Sequence, residues 1–562
     1  MKPPIPKKIS KKLIAHNDQR IDPYYWLRDD KRKNKEVLKY LKDENKYSDH
    51  WFKENEINSN EIFQDYKKAL PKLEESYKTD IDGYKYFSTI SISSEHRKYY
   101  QIYKNKKKLI LDVNRLAKNK KYYGISGIQA SRDHRFIAFG EDKNGRREFS
   151  IVIKDIKKNK VIENNRCSST GGIIWNKNSN GYFYLKKDPI TLITNSLFFH
   201  RLGTKNKDDL LVYKETDNQF NLSISTSRTK KYLFLQISKT EANEFRILNL
   251  EEESFDLICF NKRKNKHLYY IDDTPEEFFV LSNKNNQNNF ALYKTGLNDF
   301  SEKNWITFVP HNKNELIEDF LCFKDFIILE TRKDGLSHLV QINKKSKKKS
   351  YIEFSDTAYT AYLANNLKYD AKSFNFVYSS LKTPSTIFSQ NFISKKRKKL
   401  WEQKLIGHDE KLYQTERLFV KARDGKKVPI SLIYKKGIDL KKAPLLQYGY
   451  GSYGLVIEPS FKMSFMPLVD RGFIFAIAHI RGGQDLGRDW YDQGRMMNKM
   501  NTFFDFIDCT KSLIKLGKGN SNKVYAMGGS AGGLLMGTII NLEPALYKGI
   551  VSAVPFVDVL TT

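Results

Sequence analysis

Ser530, a serine flanked by glycines, is the residue of this sequence best placed to do chemistry. It stands in the run VYAMGGSAGGLLMGTII, residues 524–540, between two apolar stretches. The run contains the pattern G-x-S-x-G, in which a sharp turn between a strand and a helix exposes a nucleophilic serine. Gly528 and Gly532 suit this turn because larger side chains there would collide with the neighbouring strand and helix. The run therefore predicts a nucleophile elbow.

The helix predicted after the serine supplies a second chemical feature. Its first residue, Ala531, would offer a backbone N–H to a developing oxyanion, beside the positive end of the helix dipole. Two other interpretations are a glycine-rich turn with a solvated serine and a phosphate-binding loop. The phosphate loop would need a G-x-x-x-x-G-K-[ST] sequence, which is not present. The strand–helix setting favours catalysis over the solvated turn.

A catalytic serine needs a general base and an acid that orients the base. No histidine follows Ser530, and the last one, His479, ends an apolar run and is expected to be structural. His16 and His408 stand in predicted loops with nothing to support a catalytic role. Asp558 is the only downstream carboxylate in a plausible position, and it is a poor match for the acid.

In α/β-hydrolases the triad follows the chain order Ser, Asp, His, which implies that the catalytic Asp and His lie beyond Thr562, in a sequence that is truncated at its C-terminus. The alternative is a natural pseudoenzyme without a base. In either case the predicted sheet would end in an exposed apolar edge strand, an unfavourable state for a soluble protein.

Strands and helices alternate from about residue 410 to the end, which predicts a doubly wound α/β domain around the elbow. The segment 502–516 reads as a helix, with Thr502 and Asp505 as its N-cap pair and Gly517 as its stop. The stretch 418–434 predicts two strands around a turn at Asp424 and Gly425, and further strands are predicted at 444–448, 472–478, 524–527 and 548–554.

Short apolar strands alternate with polar turns between about residues 75 and 400. Turn residues recur there at intervals of about 45 to 52 residues: Ser131, Asn176, Arg228 and Asp273. A weak repeat of that length, with about four strands in each unit, predicts a β-propeller. A pair of β-sandwiches or stacked sheets is the alternative. Residues 1–72 are predicted to be helical, because residues 29–47 place Val37, Leu38 and Leu41 at helical spacing.

Composition narrows the class of protein. With 562 residues, of which 40% are hydrophobic, the chain can build more than one core. Neither a membrane-length apolar stretch nor a secretory signal is visible. Four widely spaced cysteines without a C-x-x-C pair indicate reduced thiols in a cytoplasmic protein and no zinc site. The net charge of +33 would suit a polyanion, but the lysines lie in short runs between strands, so we predict no nucleic-acid or membrane partner.

Ordered motifs across most of the chain resemble the prolyl oligopeptidase family of serine peptidases, and within it the oligopeptidase B group. The motifs are RIDPYYWLRDD at 20–30, YSSLKTP at 378–384, VKARDGKKVPISLIY at 420–434, YGYGSYG at 448–454, RGGQDLG at 481–487, AMGGSAGG at 526–533 and VPFVDV at 554–559. The resemblance implies an α/β-hydrolase, incomplete at its C-terminus, and a seven-bladed β-propeller. It divides the chain into a helical segment at 1–72 that packs on the hydrolase, a propeller at 73–405 and the catalytic domain at 406–562.

The resemblance also assigns roles to residues. Ser530 matches the nucleophile that forms the acyl-enzyme, and Tyr450 matches the tyrosine whose hydroxyl completes the oxyanion hole with the Ala531 N–H. Glu458 matches a subsite carboxylate, whereas Ser460 replaces a second acid of the family. From the residues alone, Tyr450 could equally be a packing tyrosine and Glu458 an exposed loop carboxylate.

The expected function is therefore that of a serine peptidase that cleaves short peptides after Arg or Lys, without a metal or cofactor. Cleavage after Pro is one alternative, and a non-catalytic propeller that binds a partner is another. Nothing in the sequence predicts the oligomeric state.

Overall fold

The computed structural model describes residues 1–56 and 59–560, and the chain divides into two compact units, Met1–Lys68 and Ala69–Thr562. The elements of the first unit are β1 (Lys11–Ala15), β2 (Asp18–Asp22), α1 (Lys35–Glu54) and α2 (Ser59–Lys68). Helix α1 carries all three apolar residues of the predicted helical stripe and is capped by the side chain of Asn34. The antiparallel hairpin β1–β2 was not predicted, because half of the residues in its short strands are charged and the strands show no apolar alternation. The predicted boundary at residue 72 stays a prediction.

The second unit begins with antiparallel sheets that make up the propeller. The strands of the first sheet are β3 (Leu73–Glu75), β4 (Thr79–Ile81), β5 (Tyr84–Ser91), β6 (Lys98–Tyr103) and β7 (Lys106–Asp112), followed by helix α3 (Val113–Ala117). The strands of the second sheet are β8 (Gly124–Ala130), β9 (Phe136–Asp142), β10 (Phe149–Asp155), β11 (Lys160–Trp175), β12 (Gly181–Lys187), β13 (Thr194–Arg201) and β14 (Leu210–Lys214).

Four further sheets of four strands each follow in chain order. The third consists of β15 (Asn221–Thr226), β16 (Tyr232–Lys239), β17 (Ala242–Asn249) and β18 (Ile258–Asn261), and the fourth of β19 (Tyr269–Asp273), β20 (Glu277–Ser282), β21 (Ala291–Gly296) and β22 (Ile306–Val309). The fifth consists of β23 (Leu316–Cys322), β24 (Phe326–Lys333), β25 (Leu336–Asn343) and β26 (Lys349–Tyr351), and the sixth of β27 (Tyr359–Leu363), β28 (Ser373–Ser380), β29 (Thr386–Asn391) and β30 (Arg397–Glu402).

The propeller prediction is confirmed, but the expectation of seven separate blades is wrong. Five sheets have the four or five strands of a blade, and the other is one continuous seven-stranded sheet. The cause is β11, a strand of sixteen residues that pairs with β10 through its first part and with β12 through its last part. Neighbouring sheets pack face to face: Phe279 of β20, Leu329 of β24 and Val340 of β25 share one buried cluster.

The rest of the second unit is the α/β-hydrolase part, and its six strands are in the order β31-β32-β34-β33-β35-β36. These strands are β31 (Tyr413–Lys421), β32 (Lys427–Lys435), β33 (Leu445–Tyr448), β34 (Ile474–Ala478), β35 (Val524–Gly529) and β36 (Gly549–Ala553). The helices are α4 (Met466–Asp470), α5 (Arg488–Asp492), α6 (Met500–Lys515) and α7 (Ala531–Leu542). Strands β34, β33, β35 and β36 are neighbours in the sheet and run parallel to one another. At one edge, β31 and β32 form an antiparallel hairpin, and β32 is also antiparallel to β34.

In the α/β-hydrolase part, the structure corrects one sequence prediction, the cap of α6, and agrees with another, the exposed edge strand. The predicted N-cap pair of α6 is wrong: Lys499 holds the cap position, while the Thr502 hydroxyl shares its one proton between the carbonyls of Arg481, at 2.8 Å, and Gly494, at 3.0 Å. Strand β36 has no partner beyond β35 within the described residues, and Val551 and Val554 are 52% and 85% exposed. The exposed edge is therefore as the sequence predicts.

No helix in the described ranges combines the length and apolar character that a membrane span requires. The four cysteines form no disulfide: Cys167, Cys322 and Cys509 are buried and Cys259 is half-buried.

Candidate active site

Ser530 lies at the junction of strand β35 and helix α7. Its backbone has φ 55° and ψ −116°, in a region that L-residues seldom occupy. Three backbone hydrogen bonds hold it there: Ser530 N–H donates to the carbonyl of Ala553, and the Ser530 carbonyl accepts from Gly533 and Phe556. The residue is exposed and its side chain makes no capping hydrogen bond to α7. This is the geometry of a nucleophile elbow.

The glycines around Ser530 are required by close backbone contacts. A Cβ atom on Gly528 would lie 2.3 Å from the carbonyl oxygen of Gly532 and 3.1 Å from that of Gly449. A Cβ on Gly532 would lie 2.8 Å from the same Gly449 oxygen. The elbow is thus packed against the loop that follows β33, and any side chain at either position would push the two apart.

That loop carries Tyr450. The Gly449 N–H donates to the Met527 carbonyl of β35, and the Tyr450 ring lies 3.3 Å from the position of a Cβ on Gly532. Tyr450 is half-buried, and its hydroxyl has no hydrogen-bond partner in the described part of the chain. Ala531 is the first residue of α7, where backbone N–H groups have no acceptor within the helix. The structure therefore gathers a serine hydroxyl, a tyrosine and a free helix N-terminus at the end of β35.

A second serine, Ser431 of β32, makes the hydrogen bonds that Ser530 lacks. Its Oγ lies 2.8 Å from His479 Nε2, and His479 Nδ1 lies 2.8 Å from Asp485 Oδ1. All three residues are buried. Arg417 Nη1 also donates to the Ser431 hydroxyl, at 3.2 Å.

His479 is therefore fully occupied away from Ser530. The prediction of a structural histidine agrees with this geometry, but its partners could not be predicted, because Ser431 is 48 residues away in the sequence. The only available signal is the polar residue within the apolar run of β32.

Glu458, the predicted subsite residue, is not a freely exposed loop carboxylate. It pairs with the guanidinium of Arg332, a buried residue of propeller strand β24 that also binds Glu318 at 2.8 Å. The attraction of the two carboxylates outweighs burial and raises the pKa of Arg332 above its ordinary value. The second oxygen of Glu458 is buried without a hydrogen-bond partner. Sequence reasoning missed Arg332, which comes from a different domain.

The remaining candidates are His408, His16 and Asp558. His408 Nε2 contacts the carbonyl of Lys382 at 2.7 Å, and its ring stacks on Tyr413. His16 stands in the turn of the β1–β2 hairpin, and Asp558 is exposed in the irregular segment after β36. His408 forms no hydrogen bond with Ser530 within the described residues. No cluster of three or more metal-ligating side chains occurs in residues 1–56 and 59–560.

Comparison with known proteins places this geometry in a family. The prolyl oligopeptidase N-terminal β-propeller domain matches residues 3–403, and the prolyl oligopeptidase family domain matches residues 459–562. Dipeptidyl aminopeptidase BI of Pseudoxanthomonas mexicana is 33% identical over 100% of this chain and 80% of that protein. Protease 2 of Moraxella lacunata is 31% identical over 100% of this chain and 82% of that protein.

Solved structures agree with the sequence comparisons. Oligopeptidase B from Leishmania major superimposes with a TM-score of 0.94 at 27% identity, over 99% of this chain and 82% of that one. Oligopeptidase B from Trypanosoma brucei, in a closed form with covalently bound antipain, gives a TM-score of 0.93 at 29% identity, over 100% and 83%. The elbow, the propeller and these matches together establish that the chain belongs to the prolyl oligopeptidase family of serine peptidases.

Proposed function

We propose that this protein is a cytoplasmic serine peptidase that cleaves short peptides after Arg or Lys. The single observation that carries the proposal is the exposed Ser530 in its strained turn, next to Tyr450 and the first N–H groups of α7. Ser530 Oγ would attack the peptide carbonyl and expel the amine, and water would then release the acyl group. The Tyr450 hydroxyl and the Ala531 N–H would stabilise the oxyanion in both steps.

The general base of this mechanism is not among the residues after Ser530, which include no histidine. His479 is a poor substitute, because both of its ring nitrogens are already bound to buried side chains. The proposal therefore requires a base from residues other than the ten histidines of this sequence or a rearrangement around one of them.

The preference for Arg or Lys rests on similarity to the two oligopeptidase B structures and to Protease 2. Glu458 gives it little support, because that carboxylate is already paired with Arg332, which it shares with Glu318. The similarity to a dipeptidyl aminopeptidase makes removal of N-terminal dipeptides a competing activity.

A non-catalytic binding protein is the second candidate function. The observation that favours it is the pairing of His479 with Ser431, which leaves Ser530 without a base in the described residues. In that case the propeller would be the functional surface.

Labelling of the native protein with a fluorophosphonate tests both candidates. The protein is purified from its source, its intact mass is compared with the 65.8 kDa of these 562 residues, and the adduct is mapped by peptide mass spectrometry. We expect an adduct on Ser530 and hydrolysis of fluorogenic peptides that end in Arg or Lys. The recombinant 562-residue chain and its Ser530→Ala variant are the controls.

Each other outcome has a distinct meaning. Absence of an adduct on Ser530 in the native protein favours the binding protein. An adduct together with cleavage only after Pro, or only of peptides with a free N-terminus, rejects the Arg/Lys preference and retains the peptidase. Activity of the native protein but not of the recombinant chain places the base outside these 562 residues.

A further inference from the structure

Lys499 is a half-buried cation whose head group contacts the loop that carries Tyr450. Its Nζ donates to the carbonyl of Gly451 and, at 2.8 Å, to the hydroxyl of Ser452. The ring of Phe503 lies 5.8 Å from the same nitrogen. Lys499 therefore binds the two residues that directly follow Tyr450 in the sequence.

The loop is fixed on the other side of Tyr450 as well. The Gly449 carbonyl packs against the elbow glycines, and the Gly449 N–H donates to β35. Gly451 has φ +66°, and a Cβ there would lie 2.4 Å from Thr502 of helix α6. Tyr450 is thus held between the elbow on one side and the start of α6 on the other, and Lys499 supplies the polar contacts of the second side.

The location of this lysine is unfavourable for a cation. In the described residues it forms no ion pair, and burial lowers the pKa of Lys499 to about 8. It also stands at the N-cap of α6, where the positive end of the helix dipole disfavours a positive charge. A residue at such a position is expected to contribute something that a neutral cap would not.

We propose that Lys499 is a positioning residue for Tyr450, which it holds in place through Gly451 and Ser452. The inference rests on the proposed function, because it assumes that Tyr450 is the oxyanion donor. It goes beyond that function in assigning a residue from another helix to the geometry of the oxyanion hole. Without the ammonium group, the carbonyl of the buried Gly451 loses its donor, and the loop gains freedom next to the reacting centre.

The test uses the protein expressed from its complete gene as wild type, Lys499→Met and Lys499→Arg. The matched control is Lys515→Met, which removes an exposed lysine from the last turn of the same helix. Reaction with a peptidyl-arginine phosphonate gives KI for reversible binding and kinact for attack by Ser530. Hydrogen exchange of residues 449–455 and the melting temperature are measured on the same samples.

For Lys499→Met we expect kinact to fall about tenfold or more with KI unchanged, because the donor is misplaced only for the oxyanion. Exchange of residues 449–455 should become faster. Lys499→Arg should recover most of the loss, and Lys515→Met should match the wild type. A lower melting temperature with unchanged kinact would mean a purely structural role and would overturn the inference.

The two proposals can fail separately. If the phosphonate does not react with Ser530 in the wild type, the proposed function has failed. Hydrogen exchange then decides the inference alone: unchanged protection of residues 449–455 in Lys499→Met would show that Lys499 does not hold the loop.

Discussion

Two serines of the hydrolase part invite comparison, because each has half of what a catalytic serine needs. Ser431 has the histidine and the carboxylate at 2.8 Å spacings, but it is buried within β32 and also accepts from Arg417. Ser530 has the exposure, the unusual backbone and the helix N-terminus, but no base within the described residues.

The comparison shows that a serine with a histidine and a carboxylate beside it is not reactive unless a substrate can reach it. The Ser431 hydroxyl and both ring nitrogens of His479 are hydrogen-bonded, and no substrate carbonyl can approach a fully buried hydroxyl. Such a network stabilises the fold, because each member would be costly to leave unpaired. The unusual backbone conformation of Ser530 lowers the stability of the fold, and the protein keeps this conformation at the position where the reaction would occur.

The largest expected effect is on the reaction with a fluorophosphonate. Ser530→Ala should reduce labelling by at least about 10³-fold, since the nucleophile is removed. Ser431→Ala should leave an adduct on Ser530, because Ser431 is inaccessible. Peptide mapping of the adduct in both variants is the measurement. An adduct on Ser431 in any sample would reverse the assignment of the two serines.

Removal of the tyrosine hydroxyl should have the next largest effect. In Tyr450→Phe the ring is kept but one oxyanion donor is lost, so turnover should fall by about 10²-fold to 10³-fold with little change in KM. Steady-state kinetics on a fluorogenic arginine peptide measure this change. Tyr453→Phe is the control, because Tyr453 lies in the same loop with its side chain exposed. Equal kinetics for the two variants would remove Tyr450 from the site.

A substitution in the buried network of Ser431, His479 and Asp485 should lower the free energy of unfolding and leave the reaction at Ser530 unchanged. His479→Ala leaves Ser431 and Asp485 without their partner, and burial of unpaired polar groups costs about 3 kcal/mol in free energy of unfolding. Urea denaturation of His479→Ala and Ser530→Ala provides the comparison. The second variant should unfold at nearly the wild-type midpoint, and loss of stability there but not in His479→Ala would contradict the assignment.

How far the sequence predicts this molecule depends on the range of the interaction. Local patterns gave the elbow, its two glycines, the β31–β32 hairpin and the strand order along the chain, since each depends on residues close in sequence. Of the recurring turn residues, Ser131, Asn176 and Arg228 lie between neighbouring strands, and Asp273 is the last residue of β19, directly before the turn to β20. They could not reveal that β8 to β14 form one sheet, because pairing of both halves of β11 depends on contacts between strands.

Long-range polar partners were beyond the reach of those patterns. The contact between Arg332 and Glu458 joins residues 126 positions apart, and nothing near either residue indicates the other. The cap of α6 was predicted incorrectly for a related reason. Threonine is a favoured N-cap residue, but the Thr502 hydroxyl is hydrogen-bonded to backbone carbonyls of other segments, at Arg481 and Gly494.

The smallest expected effect tests why the elbow needs its glycines. In Gly528→Ala the new methyl group would lie 2.3 Å from the Gly532 carbonyl oxygen, so the elbow must shift, at a cost of about 1–3 kcal/mol. Gly529→Ala is a neighbouring control, because its methyl group would meet nothing closer than 3.4 Å. Denaturation midpoints should therefore fall for Gly528→Ala and barely move for Gly529→Ala. Equal midpoints would mean that backbone packing does not confine Ser530, and the contrast with Ser431 would then rest on exposure alone.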